Sequence, residues 1–168
     1  AALISITMPT SMTALQLLSS TFYGCTSLIS LTLPASLDAL TGMSNMCYNC
    51  YALVTCTMPT SMTGAFTSFA SAFYNCYSLI SLVFPATLNS LTTMANMCQN
   101  CYSLKTVTMP TSMTALATLS SAFNFCEDLV GLVLPATLNS LTTMANMCQS
   151  CRSLVSVTLP TSATSLTA

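Results

Sequence analysis

Prolines and cysteines in this chain keep one beat. Pro9, Pro34, Pro59, Pro85, Pro110, Pro135 and Pro160 are separated by 25 residues, except for one step of 26 before Pro85. Cys25, Cys50, Cys76, Cys101, Cys126 and Cys151 follow the same rhythm. A fixed period of this length marks stacked repeats, because a unit so short cannot bury its own apolar face and must lean on its neighbours. The one extra residue falls within Gly64–Phe69 and is expected to bulge from a loop.

Each unit reads C-x-S-L-x-x-L-x-L-P, then S-L-x-x-L-x-x-M-x-x-M/F-x-x-C. The stretch Leu28–Pro34 has the spacing of a short strand with one buried face, ended by a proline that has no N–H to give a ladder. After it, Leu88, Leu91, Met94, Met97 and Cys98 recur at steps of three or four, which predicts a short α- or 3₁₀-helical segment on the opposite side. The expected fold is therefore an α/β solenoid of about seven coils, with strands aligned in parallel about 4.8 Å apart. A second beat overlies the first. Coils carrying Pro9, Pro59 and Pro110 read P-T-S-M-T, whereas those carrying Pro34, Pro85 and Pro135 read P-A-S-L-D or P-A-T-L-N. The superperiod is thus about 50 residues, a duplicated two-coil cassette that sets two kinds of surface in turn.

The stretch Ala72–Pro85 resembles the A-F-x-x-C-x-x-L-x-x-L-x-L-P core of BspA-like leucine-rich repeats, and Met43–Leu53 and Met94–Leu104 are similar to its M-x-x-M variant. The resemblance covers nearly the whole chain. It implies a secreted or cell-surface protein, or a related fibre, engaged in adhesion and ligand binding rather than catalysis. Two departures stand out: the interval from proline to cysteine is longer than the common form, and charge is far scarcer.

That scarcity excludes several functions. Charged residues make up 3% of the 168, against about 25% in ordinary soluble domains. A net charge of −1 supplies no basic stripe for nucleic acid. The hydropathy is high, but Ser, Thr and Asn interrupt every apolar run before the ~18–20 residues that a membrane span needs. General acid–base catalysis has only Glu127 and Asp128 to draw on, with no histidine in the chain. Neither a phosphate-binding glycine loop nor G-x-S-x-G occurs. No cofactor is expected.

Three C-x-x-C pairs, Cys47–Cys50, Cys98–Cys101 and Cys148–Cys151, raise the question of metal or redox work. The residue three before each rung of the cysteine series is in turn Phe22, Cys47, Phe73, Cys98, Phe123 and Cys148. A slot that accepts phenylalanine is a core slot, where cysteine serves as a small hydrophobe. Successive pairs lie two coils apart, about 10 Å, and no histidine completes a zinc site. No metal is expected, and the series is read as a core ladder. Disulfides between neighbouring rungs are the alternative: the Cα separation permits them, while parallel side chains supply the torsion poorly.

Two surfaces are candidates for binding. The outward strand positions form rows of hydroxyls from Ser5 to Ser156 and from Thr7 to Thr158, readable as a contact face for sugar or protein or as an ordinary solvated sheet. All six tyrosines fall in two adjoining rows, Tyr23, Tyr48 and Tyr74, and Tyr51, Tyr77 and Tyr102. They form either a recognition patch or a stack that covers the edge of the core. Glu127 and Arg152 share one repeat position and should pair.

No polar cap closes either end of the repeat, so the array is expected to continue in a longer protein or to stack into a filament. The functional expectation is a single solenoid, residues 1–168, acting as a non-catalytic structural or adhesive module of an extracellular or surface fibre. It would self-associate or touch protein or glycan. The alternative is a monomeric receptor- or carbohydrate-binding domain.

Overall fold

The computed structural model describes residues 2–167. Seven three-residue strands, β1 (Ser5–Thr7), β2 (Ser30–Thr32), β3 (Thr55–Thr57), β4 (Ser81–Val83), β5 (Thr106–Thr108), β6 (Gly131–Val133) and β7 (Ser156–Thr158), form one parallel sheet in chain order. Register follows the repeat: Leu31 pairs with Ile6 on one side and Cys56 on the other, and Leu82 pairs with Val107. The middle residue of each strand points inward. Leu31, Leu82 and Leu132 are buried, and so is the row Leu28, Leu53, Leu79, Leu104 and Leu129 beside them. Each such leucine contributes about 1.5–3 kcal/mol by leaving water. Because every coil donates the same slots, the core is one continuous column.

The predicted helical segment does not form; among the described residues there is no helix. The stretch from Met43 to Cys50 instead alternates its hydrogen bonds. Met43, Asn45, Cys47 and Asn49 donate their N–H groups to Ser68, Ala70, Ala72 and Tyr74 of the next coil, while Met46, Tyr48 and Cys50 donate to the carbonyl three residues back. A helix would send every N–H to the fourth residue back. Left-handed backbone forbids that. Asn45 and Asn49 have φ of 56° and 61°, and the same two slots are left-handed in five further coils, as at Ser71 and Asn75 (52° and 60°) and at Asn96 and Asn100 (54° and 63°). One left-handed residue in every four turns the chain too often for a helix, and asparagine, serine and glycine are the residues that tolerate it. The apolar spacing of three and four comes from consecutive turns rather than from a helix.

The extra residue is absorbed between Thr63 and Thr67. Thr63 N–H meets Asp38 at an offset of 25, whereas Thr67 N–H meets Thr41 at 26. Ala65 is exposed there, and Phe66 takes the core slot that Leu15 and Leu116 fill elsewhere.

The two-coil superperiod has a structural cause. Asp38 accepts from Ser36 Oγ (2.6 Å), Ser61 Oγ (2.8 Å), Thr63 N–H (2.9 Å) and Thr63 Oγ1 (3.0 Å). Asn89 and Asn139 accept from Ser112 and Ser162 Oγ, each at 2.6 Å, at the corresponding places. One coil of the cassette supplies the acceptor and the next supplies P-T-S donors. The hydroxyl of Ser36, then the Thr63 N–H and the Ser61 hydroxyl, hold the Asp38 carboxyl well below the usual carboxylate range. A depressed folded-state value contributes stability that is complete above about pH 4 and lost as pH falls below it. Asp38→Asn should therefore remove that acid sensitivity while keeping the clasp, as Asn89 does. Urea midpoints of both proteins between pH 6 and pH 2 check this, and a variant that stays as acid-sensitive as its parent contradicts it.

Candidate functional site

The core ladder does more than fill space. Each rung thiol donates to a carbonyl of the preceding coil: Cys50 Sγ to Phe22 O (3.1 Å), Cys76 to Cys47 O (3.2 Å), Cys101 to Phe73 O (3.1 Å), Cys126 to Cys98 O (3.2 Å) and Cys151 to Phe123 O (3.1 Å). The same carbonyls already accept from the rung N–H of their own coil, as Phe73 O does from Cys76 N–H at 3.1 Å. Both lone pairs of a buried carbonyl are thereby used, one within the coil and one between coils. Sequence reasoning found the burial and missed the donor role; the signal was that cysteine, unlike phenylalanine, recurs at the rung itself without exception.

All ten cysteines are free thiols, and Cys47, Cys50, Cys76, Cys98, Cys101 and Cys126 are fully buried. Burial pushes Cys56 up to about 12 and raises Cys76, Cys98 and Cys126 well above the ordinary thiol. Within Cys47–Cys50 and Cys148–Cys151, a shared hydrogen bond raises the first thiol and lowers the second. No three metal-ligating side chains converge among the described residues.

The tyrosines form two stacks. Tyr23, Tyr48 and Tyr74 lie with ring centroids 4.9 and 4.6 Å apart and planes within 3°. Tyr51, Tyr77 and Tyr102 follow at 4.9 and 5.1 Å, tilted by 12° and 26°. Stacking hides both faces of Tyr48 and Tyr77 and raises their hydroxyl pKa values, first through desolvation and then through the neighbouring rings. Ring edges and hydroxyls remain outward, with Tyr23, Tyr51 and Tyr102 being 54%, 37% and 40% exposed. A pyranose stacks on a ring face, so this ridge offers protein better than sugar.

Beneath the rings runs an amide ladder that sequence reasoning did not find. Asn75 Nδ2 donates to Asn49 Oδ1 and Asn100 Nδ2 to Asn75 Oδ1, both at 2.8 Å. It stops where Tyr-Asn of the earlier coils becomes Asn124-Phe125. Phe125 occupies the left-handed slot at φ 58°, and Asn124, 7% exposed, leaves Oδ1 without a partner. A bulky left-handed residue costs about 1–2 kcal/mol. Phe125→Asn should relieve it and offer Asn100 a further rung, raising stability by about 1 kcal/mol; a lowered denaturant midpoint would count against this account of the turn. Beyond the tyrosines, the outer row continues as Glu127 and Arg152, whose side chains approach to 3.8 Å in the open. Such a pair contributes little.

A third feature also escaped the sequence. Immediately before the strands stand Ile4, Ile29, Val54, Ile80, Lys105, Val130 and Val155, and all but the half-buried Val54 are exposed. With the hydroxyl rows beside them, they give the sheet face an apolar stripe bearing one charge. The signal was present: β-branched residues fill that slot in six of seven coils.

Six copies of a BspA type leucine rich repeat region match the chain, over residues 1–129 and 44–168. The chain belongs to the BspA-type leucine-rich repeat family. This BspA-type solenoid is similar to the leucine-rich repeat protein TpLRR of T. pallidum, at 24% identity and a TM-score of 0.69, over 95% of this chain and 72% of that one. It is also similar to a leucine-rich repeat protein of Bacteroides ovatus, at 19% identity and a TM-score of 0.55, over 97% of this chain. It spans 46% of the B. ovatus chain, and likeness at this identity speaks to fold alone. No curated protein matches it. BspA-type repeats are a non-catalytic kind of interaction fold, and no helix of the structure is long and apolar enough to cross a membrane.

Proposed function

We propose that this BspA-type solenoid is a structural or adhesive module of an extracellular or cell-surface fibre, working by contact with further copies of itself, another protein or a glycan. The exposed Ile/Val stripe beside the uncharged hydroxyl rows carries this reading. Contiguous exposed apolar surface is a mark of interaction sites, and a face with one charge has nothing to repel a second copy. Family membership supports a surface location, and the scarcity of charge argues against nucleic acid. Light scattering after sizing chromatography tests it, with Ile29→Lys/Ile80→Lys as comparison. Concentration-dependent assemblies that the variant loses support the proposal, whereas a monomer at every concentration contradicts it.

The second reading, a monomeric receptor- or carbohydrate-binding domain, draws on the tyrosine ridge. Its hydroxyl edges, aligned along six rungs of two rows, suit a partner surface that accepts or donates at regular intervals. A glycan and receptor array probed with the chain and with Tyr51→Ala/Tyr77→Ala decides it. Binding that survives the double substitution removes the ridge from consideration.

A further inference from the structure

Three concavities lie on one line, where the strands end and the chain turns through its prolines. They measure about 280 Å³ along β1 to β3, 440 Å³ at β3 and β4, and 590 Å³ along β5 to β7. No charged side chain lines any of them. Together they form a groove across the strand ends, apart from the tyrosine rows and from the Ile/Val stripe.

The groove alternates in chemistry. On its sheet-side rim Thr57, Val83, Thr108 and Val133 succeed one another, with Val83 61% and Val133 65% exposed. On the opposite rim the threonine hydroxyls are engaged: Thr60 Oγ1 donates to Ala35 O at 3.1 Å and Thr111 Oγ1 to Ala86 O at 3.0 Å. The hydroxyls of Thr57 and Thr108 bond to no described residue, so one free donor faces the groove every second coil. Two strand spacings make that interval about 9.6 Å.

A polyproline II helix repeats every three residues, at about 9.3 Å, and its backbone carbonyls have no internal partner. One carbonyl per turn would meet one threonine hydroxyl per cassette, while proline rings would rest between them on Val83, Ala86 and the groove's own prolines. A ligand without charge and without N–H groups matches a groove that offers hydroxyl donors and apolar floor alone. A glycan fits less well: it needs amide, carboxylate or guanidinium partners for its hydroxyls, and this groove has none. We propose that the strand-end groove binds a neutral proline-rich segment in the polyproline II conformation.

The test titrates the chain with an acetylated, amidated oligoproline of about nine residues, ~3 turns, and follows threonine and valine methyl resonances. Saturable shifts at Thr57, Val83 and Thr108 are expected, together with weaker binding of a two-turn peptide and none of a glycine–serine peptide of equal length. Thr57→Val/Thr108→Val keeps the β-branched shape and should weaken binding about tenfold, two hydrogen bonds being lost. Ala86→Leu, which fills the groove, should abolish it. Tyr51→Ala/Tyr77→Ala should leave it unchanged, so failure here and failure of the tyrosine-ridge reading are separable. The proposal is overturned by absence of saturable binding, by equal binding to the Thr→Val variant, by loss of binding in the tyrosine variant, or by a neutral oligosaccharide shifting the same methyls where oligoproline does not.

Discussion

Gly64→Ala should destabilise the solenoid by on the order of 3 kcal/mol, at the severe end of overpacking effects. A Cβ built at Gly64 falls 1.8 Å from the Asp38 carbonyl oxygen and 3.0 Å from its carbon. These are backbone atoms of the adjacent coil, so no side chain can swing away. The neighbourhood is also held from the other side, since the Asp38 carboxylate grips Ser61 and Thr63. Relief requires pulling one coil off the other at the point where the insertion already breaks the repeat. Loss should show as a lower denaturation midpoint and as faster amide exchange confined to the coils on either side. Stability within 0.5 kcal/mol of the parent, the range of an ordinary surface change, would mean that the chain does not pass so close there.

Asn75→Ala should cost about 2–3 kcal/mol, and Asn75→Gly about 1 kcal/mol less. The alanine loses two ladder hydrogen bonds, to Asn49 and from Asn100, each worth about 1 kcal/mol net. It also forces a Cβ into the left-handed region at φ 60°, for about another 1 kcal/mol. Glycine loses the amide but takes the backbone freely, as Gly24 does at φ 69° in the first of these turns. Chemical denaturation of the pair separates the two effects. If glycine proves no better than alanine, backbone hand is not what selects residues at this slot.

The solenoid was legible because its evidence is redundant: seven prolines and six rung cysteines repeat one register, and the sheet pairs residues as that register requires. The helical segment was misread because spacing alone cannot separate one regular helix from a chain of tight turns. Asn45, Asn49, Asn75, Asn96 and Asn100 carried the missing information, and their recurrence at two fixed slots per coil pointed to left-handed backbone. The cassette alternation was visible as a pattern, but its meaning lay between coils, in Asp38 and Asn89 reaching the next serine. Ring rows could be placed from sequence; whether faces or edges of Tyr48 and Tyr77 look outward depends on a rotamer shared down the stack. Thiol donation from Cys101 to Phe73 likewise needs the third dimension.

The central claim is that the cysteines are interior rungs, hydrogen-bonded from coil to coil, and carry out no redox or metal chemistry. Native-state alkylation under quantified excess of reagent, read thiol by thiol by mass spectrometry, tests it most directly. Cys47, Cys50, Cys76, Cys98, Cys101 and Cys126 should be labelled together and only as fast as the whole solenoid unfolds. A C-x-x-C pair that reacts ahead of the rest, or that is recovered as a disulfide or with stoichiometric zinc, would contradict the account.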